Sequence, residues 1–171
     1  MPWSLSLPSD ASPLTLRWLT ATGALTAHLE TLGRVRLQVL RETLGPAAPD
    51  ETEGPAAAAP GRYFIREVLM AINGTPAVAA RSLIPDGDGG PWAAVKTLRT
   101  TPLAKILYTP ETTRTPFAFA TLDATKALRG VTRPFIDGEH ALRARRSVFT
   151  RAGVPILVSE AFLPGFWAIA A

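Results

Sequence analysis

The chain has 171 residues, with 18 Lys and Arg against 14 Asp and Glu and a net charge of +4. Hydrophobic residues make up 47% and charged residues 19%, too apolar for a disordered chain and too sparsely basic for a nucleic-acid coat, so one compact domain over 1–171 is expected. Cysteine is absent, which excludes disulfides, thiolate metal sites and cysteine nucleophiles, while 16 Pro and 13 Gly point to strands, turns and short helices.

No apolar run reaches the length of a membrane span, and the opening MPWSLSLPSD lacks the basic start and unbroken apolar stretch of a signal peptide. A cytoplasmic location without stable membrane insertion is the expectation. Leu14 to Leu32 has helical spacing weakened around Gly23, predicting two short helices. Gly33 ends them, and alternation over Arg34 to Leu44 predicts a half-buried strand. Gly45 to Gly61 is rich in Pro and Ala and has no periodicity, so it reads as a mobile loop.

Arg62 to Pro85 reads as a hairpin turning at Asn73-Gly74. With those two residues at the centre of the turn, Phe64 faces Leu83, Arg66 faces Arg81, Val68 faces Ala79 and Met70 faces Ala77. Thr101-Pro102 predicts a helix capped by Thr101, with Leu103 as its second residue and an N–H that the Thr101 hydroxyl or an anion could take. Phe117 to Leu122 suits a strand, whereas Asp123 to Gly138 is irregular and basic. A second hairpin pairs Ala141–Phe149 with Pro155–Leu163 around Ala152-Gly153, and the chain ends in an apolar tail.

Two opposed arginines on an apolar sheet face repel each other, and a bound anion is the simplest neutraliser. Either could instead snorkel to an edge or pair with Glu67 or Glu160. Glu160 shares a stripe with Ile156, Val158 and Phe162, and the second turn sets it opposite Arg145, so an internal ion pair competes with a ligand role. Ala152 suits a positive-φ turn poorly. His28 and His140 are too few and too far apart for a metal site, and no phosphate loop or nucleophile elbow is present. Arg143, Arg145 and Arg146 lack interleaved exposed aromatics and read mainly as a solvated strand face.

The segments RYFIREVLMAINGTPAVAARSLIP (62–85), TPLAKILYT (101–109) and RARRSVFTRAGVPILVSEAFLP (143–164) together resemble bacterial chorismate pyruvate-lyases, most closely between Arg62 and Pro164 and more faintly from Trp18 to Glu42. The resemblance implies an α+β fold, a single antiparallel β-sheet with helices packed on one face, closing over a buried aromatic acid. It implies cleavage of chorismate to 4-hydroxybenzoate and pyruvate, at the first committed step of ubiquinone synthesis, without metal or organic cofactor. On the matching positions, Arg66 takes the ring carboxylate, Glu160 the ring hydroxyl, and the backbone N–H groups of Leu25 and Leu103 complete the contacts. Leu25 stands where a methionine is usual. Arg81 is the expected partner of the enolpyruvyl group, making Arg66, Arg81 and Glu160 the expected catalytic set.

A product that satisfies the same groups as substrate should leave slowly, behind a lid around Leu25 hinged near Gly23. The expected partners are chorismate and 4-hydroxybenzoate, with no nucleic acid, and the expected state is a monomer. A non-catalytic aromatic-acid sensor of the same fold is the competing reading. Such regulators carry a DNA-binding domain in front, for which too few residues precede the first strand.

Overall fold

The computed structural model describes residues 2–87, 90–124, 127–130, 132–136 and 140–171. Helices α1 (Pro13–Thr20) and α2 (Leu25–Glu30) precede the long strand β1 (Val35–Pro46). Strands β2 (Arg62–Ile72) and β3 (Thr75–Pro85) form the first hairpin. Helix α3 (Ala104–Leu107) leads to β4 (Thr113–Arg114) and β5 (Ala118–Asp123), and β6 (Ala141–Arg151), β7 (Val154–Phe162) and α4 (Pro164–Ala170) complete the chain. The sheet is antiparallel in the order β1-β2-β3-β7-β6-β4, with β5 also on β6.

The break between α1 and α2 falls where expected, with Gly23 at φ 82°. The Ser12 hydroxyl accepts the Thr15 N–H and caps α1, and Pro13 fits the first helical position. Asn73 (φ 49°) and Gly74 (φ 86°) make the first hairpin turn, and Ala152 (φ 47°) and Gly153 (φ 77°) the second. Ala152 therefore adopts the left-handed conformation that the sequence reading held against it.

The first hairpin's register departs from expectation. Ile72 faces Thr75 and Ala71 faces Pro76, as the turn dictates, but Met70 then faces Val78 and Ala77 is left over as a β-bulge. Proline at 76 has no N–H for the ladder, which suits it to a bulge. The Ala77 carbonyl instead accepts the Leu163 N–H at 2.8 Å. Beyond the bulge every pairing is shifted by one, so Arg66 faces Ser82 and Glu67 faces Arg81. Alternation then puts the two arginines on opposite sheet faces.

On one face, Trp18, Leu19, Leu25, Leu29 and Phe166 of the helices pack on Val68, Met70, Val78, Ala80, Phe119 and Phe162. The apolar terminal run is thus not a loose tail. Its last part is α4, whose Phe166 ring meets Trp18 edge-on with centroids 4.9 Å apart. The same face continues toward Ile84, Trp92, Val95, Leu107, Phe149 and Ile156.

The opposite face is small-residue-rich, with Ala79, Ala118, Ala120, Ala144 and Ala161 under Trp3, Ala127 and Leu128. The Pro/Ala-rich segment lies over this face as well. Arg146 donates to the carbonyls of Asp50 (2.8 Å), Glu53 (2.5 Å) and Pro55 (2.9 Å), and its guanidinium stacks on Trp3. Burial lowers the Arg146 pKa to about 10, with the charges of Asp50 and Glu51 opposing the shift. Arg145 and Arg146 are thus both buried, on opposite faces, rather than on a solvated strand face. The irregular stretch expected over 123–138 contains short 3₁₀ turns at Ala127–Gly130 and Arg133–Phe135, and the rest of it is in part outside the described residues.

Candidate active site

A cavity lies between the helical layer and the sheet. Its walls come from Leu25 and Thr26 of α2, from Pro102, Leu103, Ala104, Leu107 and Tyr108 around α3, and from Phe117. Its floor is two rows of residues that run across the strands. One row is Arg66, Ser82, Val158 and Ser147, and the next is Val68, Ala80 and Glu160. Arg66 and Glu160 are two strand spacings apart, about 10 Å, and one row out of line.

Arg66 is 2% exposed. Its guanidinium pairs with Glu42 across β1 and donates to the carbonyl of Arg99 at 2.5 Å and to that of Thr101 at 3.4 Å. A buried cation is tolerated when it is paired and its donors are used, and the strand partner plus two loop carbonyls do this. The contacts also fix which way the fork points. Ser82 and Ser147 are buried beside it, and among the described residues their hydroxyls have no hydrogen-bond partner.

Glu160 faces Arg145 directly across β6 and β7, as the second hairpin predicts, and the Arg145 Nε donates to it at 2.6 Å. The same guanidinium donates to the carbonyls of Trp18 (3.1 Å), Leu19 (3.3 Å) and Ala21 (2.7 Å), capping the end of α1. One arginine thereby holds the site carboxylate and docks α1.

The helix at α3 begins later than its sequence suggests. Leu103 is the N-cap and the Thr101 hydroxyl caps nothing, because Thr101 is placed with its carbonyl toward Arg66. Leu103 and Leu25 both line the cavity, and no intramolecular acceptor is described for either N–H. The Tyr108 hydroxyl donates to the Gly23 carbonyl at 2.7 Å, tying α3 to the turn between α1 and α2. Burial and the charge of Glu160 raise the Tyr108 phenol pKa, with Arg114 and Arg145 opposing.

The structure does not assemble the expected opposition of Arg66 and Arg81. Arg81 is 4% exposed on the far face, held by Glu51 (2.6 Å) and Glu67 (2.5 Å). It borders a separate cavity with Trp3, Asp50, Glu51, Asp123, Arg129 and Ser159. Burial lowers its pKa and the two carboxylates raise it, with a net rise. Sequence reasoning missed the Glu42–Arg66 pair, because β1 has its own irregularity between Val39 and Arg41 that sets which residue reaches Arg66. Among the described residues no cluster of three or more His, Asp or Glu is arranged to hold a metal ion.

An antiparallel sheet buried on both faces, with short helices over one of them and a charged group at each end of the mainly apolar cavity between, defines a binding fold for a small polar-ended molecule. Solved structures with a similar fold include the effector domain of PhnF from Mycobacterium smegmatis (TM-score 0.54, 13% identity, 82% of this chain and 88% of that one). The ligand-binding domain of a GntR-family transcriptional regulator from Bordetella bronchiseptica is similar (TM-score 0.51, 11% identity, 77% and 86%). These likenesses define the fold. The chain belongs to the chorismate lyase family, whose model matches residues 3–171. Relatives include proteins named "Probable chorismate pyruvate-lyase" from Bordetella pertussis (44% identical, 98% of this chain and 91% of that protein) and "Probable chorismate pyruvate-lyase 1" from Pseudomonas fluorescens (38%, 97% and 91%).

Proposed function

We infer that the chain is a chorismate pyruvate-lyase, converting chorismate to 4-hydroxybenzoate and pyruvate at the entry to ubiquinone synthesis. The observation that carries this is the placement of Arg66 and Glu160 at two ends of one apolar cavity. Their spacing suits a six-membered ring with a carboxylate at one end and a hydroxyl opposite it. Arg66 binds the ring carboxylate, and the N–H groups of Leu25 and Leu103 donate to the ligand from the lid side. Glu160 accepts from the C4 hydroxyl, while Arg145 keeps its carboxylate in place.

In the reaction the C3–O bond breaks, its electron pair leaving with the enolpyruvyl oxygen. The C4–H electrons complete the aromatic ring, and the proton ends on the methylene carbon of the departing group, giving pyruvate. Aromatisation supplies the driving force, so the protein's task is orientation and exclusion of water. The whole chain works as one domain, monomeric and cytoplasmic, with the helix around Leu25 as the lid over the cavity. That lid is tied to the α3 segment through Tyr108 and must part from it for a flat product to leave, which supports slow release and product inhibition.

The test is to incubate purified protein with chorismate, without added metal or nucleotide, and follow 4-hydroxybenzoate and pyruvate. Equimolar formation of both is expected. Binding of 4-hydroxybenzoate with no turnover of chorismate would instead mark a sensor.

A further inference from the structure

Chorismate carries two carboxylates, and with Arg81 on the far face the cavity lacks the second cation that the sequence assigned to it. We propose that Arg114 supplies it, holding the enolpyruvyl carboxylate. The inference rests on the chorismate reading above.

Arg114 is half-buried on β4, and its Cα partner is Phe149, which puts it on the cavity side of the sheet. Its guanidinium stacks on the Phe117 ring, 3.9 Å from the centroid, and Phe117 is part of the cavity wall. One guanidinium nitrogen, Nη1, is buried without any hydrogen-bond partner, and among the described residues Arg114 forms no ion pair. A cation in that position calls for a counterion, since partial burial weakens its hydration without replacing it.

Other buried arginines near the floor are committed. Arg66 has Glu42 and two carbonyls, and Arg145 has Glu160 and three carbonyls. Arg145 also lies over the Phe117 ring, at 4.4 Å, so the same aromatic side chain connects Arg114 to the Glu160 end of the cavity. The sheet order supports the assignment. Arg66 stands on β2, Glu160 on β7 and Arg114 beyond β6, so Glu160 lies between the two cations. In the substrate, the C4 hydroxyl likewise neighbours the C3 ether that bears the second carboxylate. Ring carboxylate, hydroxyl and enolpyruvyl carboxylate thus follow one another across the sheet in the order Arg66, Glu160, Arg114.

4-Hydroxybenzoate lacks the second carboxylate, which gives the test its internal control. Arg114→Gln should raise KM for chorismate about tenfold or more, while its dissociation constant for 4-hydroxybenzoate stays within about twofold of the unaltered protein. Arg114→Lys, which keeps the charge and loses the fork, should fall between the two. The melting midpoint, measured with and without 4-hydroxybenzoate, shows whether each variant is folded. An unchanged KM, a parallel loss of 4-hydroxybenzoate affinity, or an Arg114→Lys no better than Arg114→Gln would overturn the assignment. Failure of the unaltered protein to consume chorismate would instead remove the reading on which it rests.

Discussion

Glu67 is fully buried between two arginines, Arg41 at 2.6 Å and Arg81 at 2.5 Å, and Arg81 is shared with the buried Glu51. Such a chain of alternating charges is stable only while every member keeps its partner. Glu67→Ala is therefore expected to destabilise the fold by about 3–5 kcal/mol, read by denaturant titration, because Arg81 is left half-paired in the interior. Arg81→Ala should act by the same route, lowering stability and turnover together. Loss of turnover in a variant of normal stability would put Arg81 back in contact with substrate. At this scale the Arg145–Glu160 pair was legible, since a tight turn fixes the opposite residue. The role of Arg81 was not, because the residue that redirects it is an alanine with no signature of its own.

Elements were read well where a turn residue marked them. Gly23, Asn73-Gly74 and Gly153 each lie at a real reversal, and both hairpins follow from them. Boundaries that depend on tertiary contacts were not legible. Thr101-Pro102 has the local chemistry of a helix start, yet the helix begins beyond it, with the Thr101 carbonyl accepting from Arg66. The closing apolar run gave no strand-to-helix signal until Phe166 could be seen against Trp18 and Phe162. Gly165 allows this contact, because a Cβ there would meet the Pro76 carbonyl oxygen at 2.6 Å. The second turn leaves room for improvement. Ala152 sits at φ 47°, a conformation that costs a non-glycine residue about 1–2 kcal/mol. Ala152→Gly should recover part of this and raise the melting midpoint without altering turnover.

For the molecule as a whole, the sheet is a divider between two environments. One side is a cavity closed by short helices, linked to one another through Tyr108 and Gly23 and to the sheet through Arg145. The other side is packed with alanines and braced by arginines that grip a proline-rich segment. A ligand that fills the cavity touches α2, the α3 segment and the floor, so its binding energy is added to folding. With 4-hydroxybenzoate at a hundredfold its dissociation constant, the gain is about 2.7 kcal/mol. A rise in melting midpoint of about 5–10 °C is expected for a chain of this size, together with slowed amide exchange in α2 and α3. A rise without protection of those helices would place the ligand elsewhere.

The bulge at Ala77 acts as a parity setting for the sheet. A strand presents its odd and even positions to different sides, so whether one residue is left out of the pairing or taken into it decides which set of side chains beyond it reaches the cavity. Drawing Ala77 into the ladder opposite Met70 would offer Arg81 to the cavity and send Ser82 and Ala80 to the braced side, stripping Glu51 and Glu67 of their cation in the same step. The two halves of the molecule are thus locked to one count. What must be kept is the pairing beyond the bulge and not the length of the strand: losing Ala77 leaves Glu67 opposite Arg81, whereas straightening the strand with Ala77 present turns Arg81 to the other side.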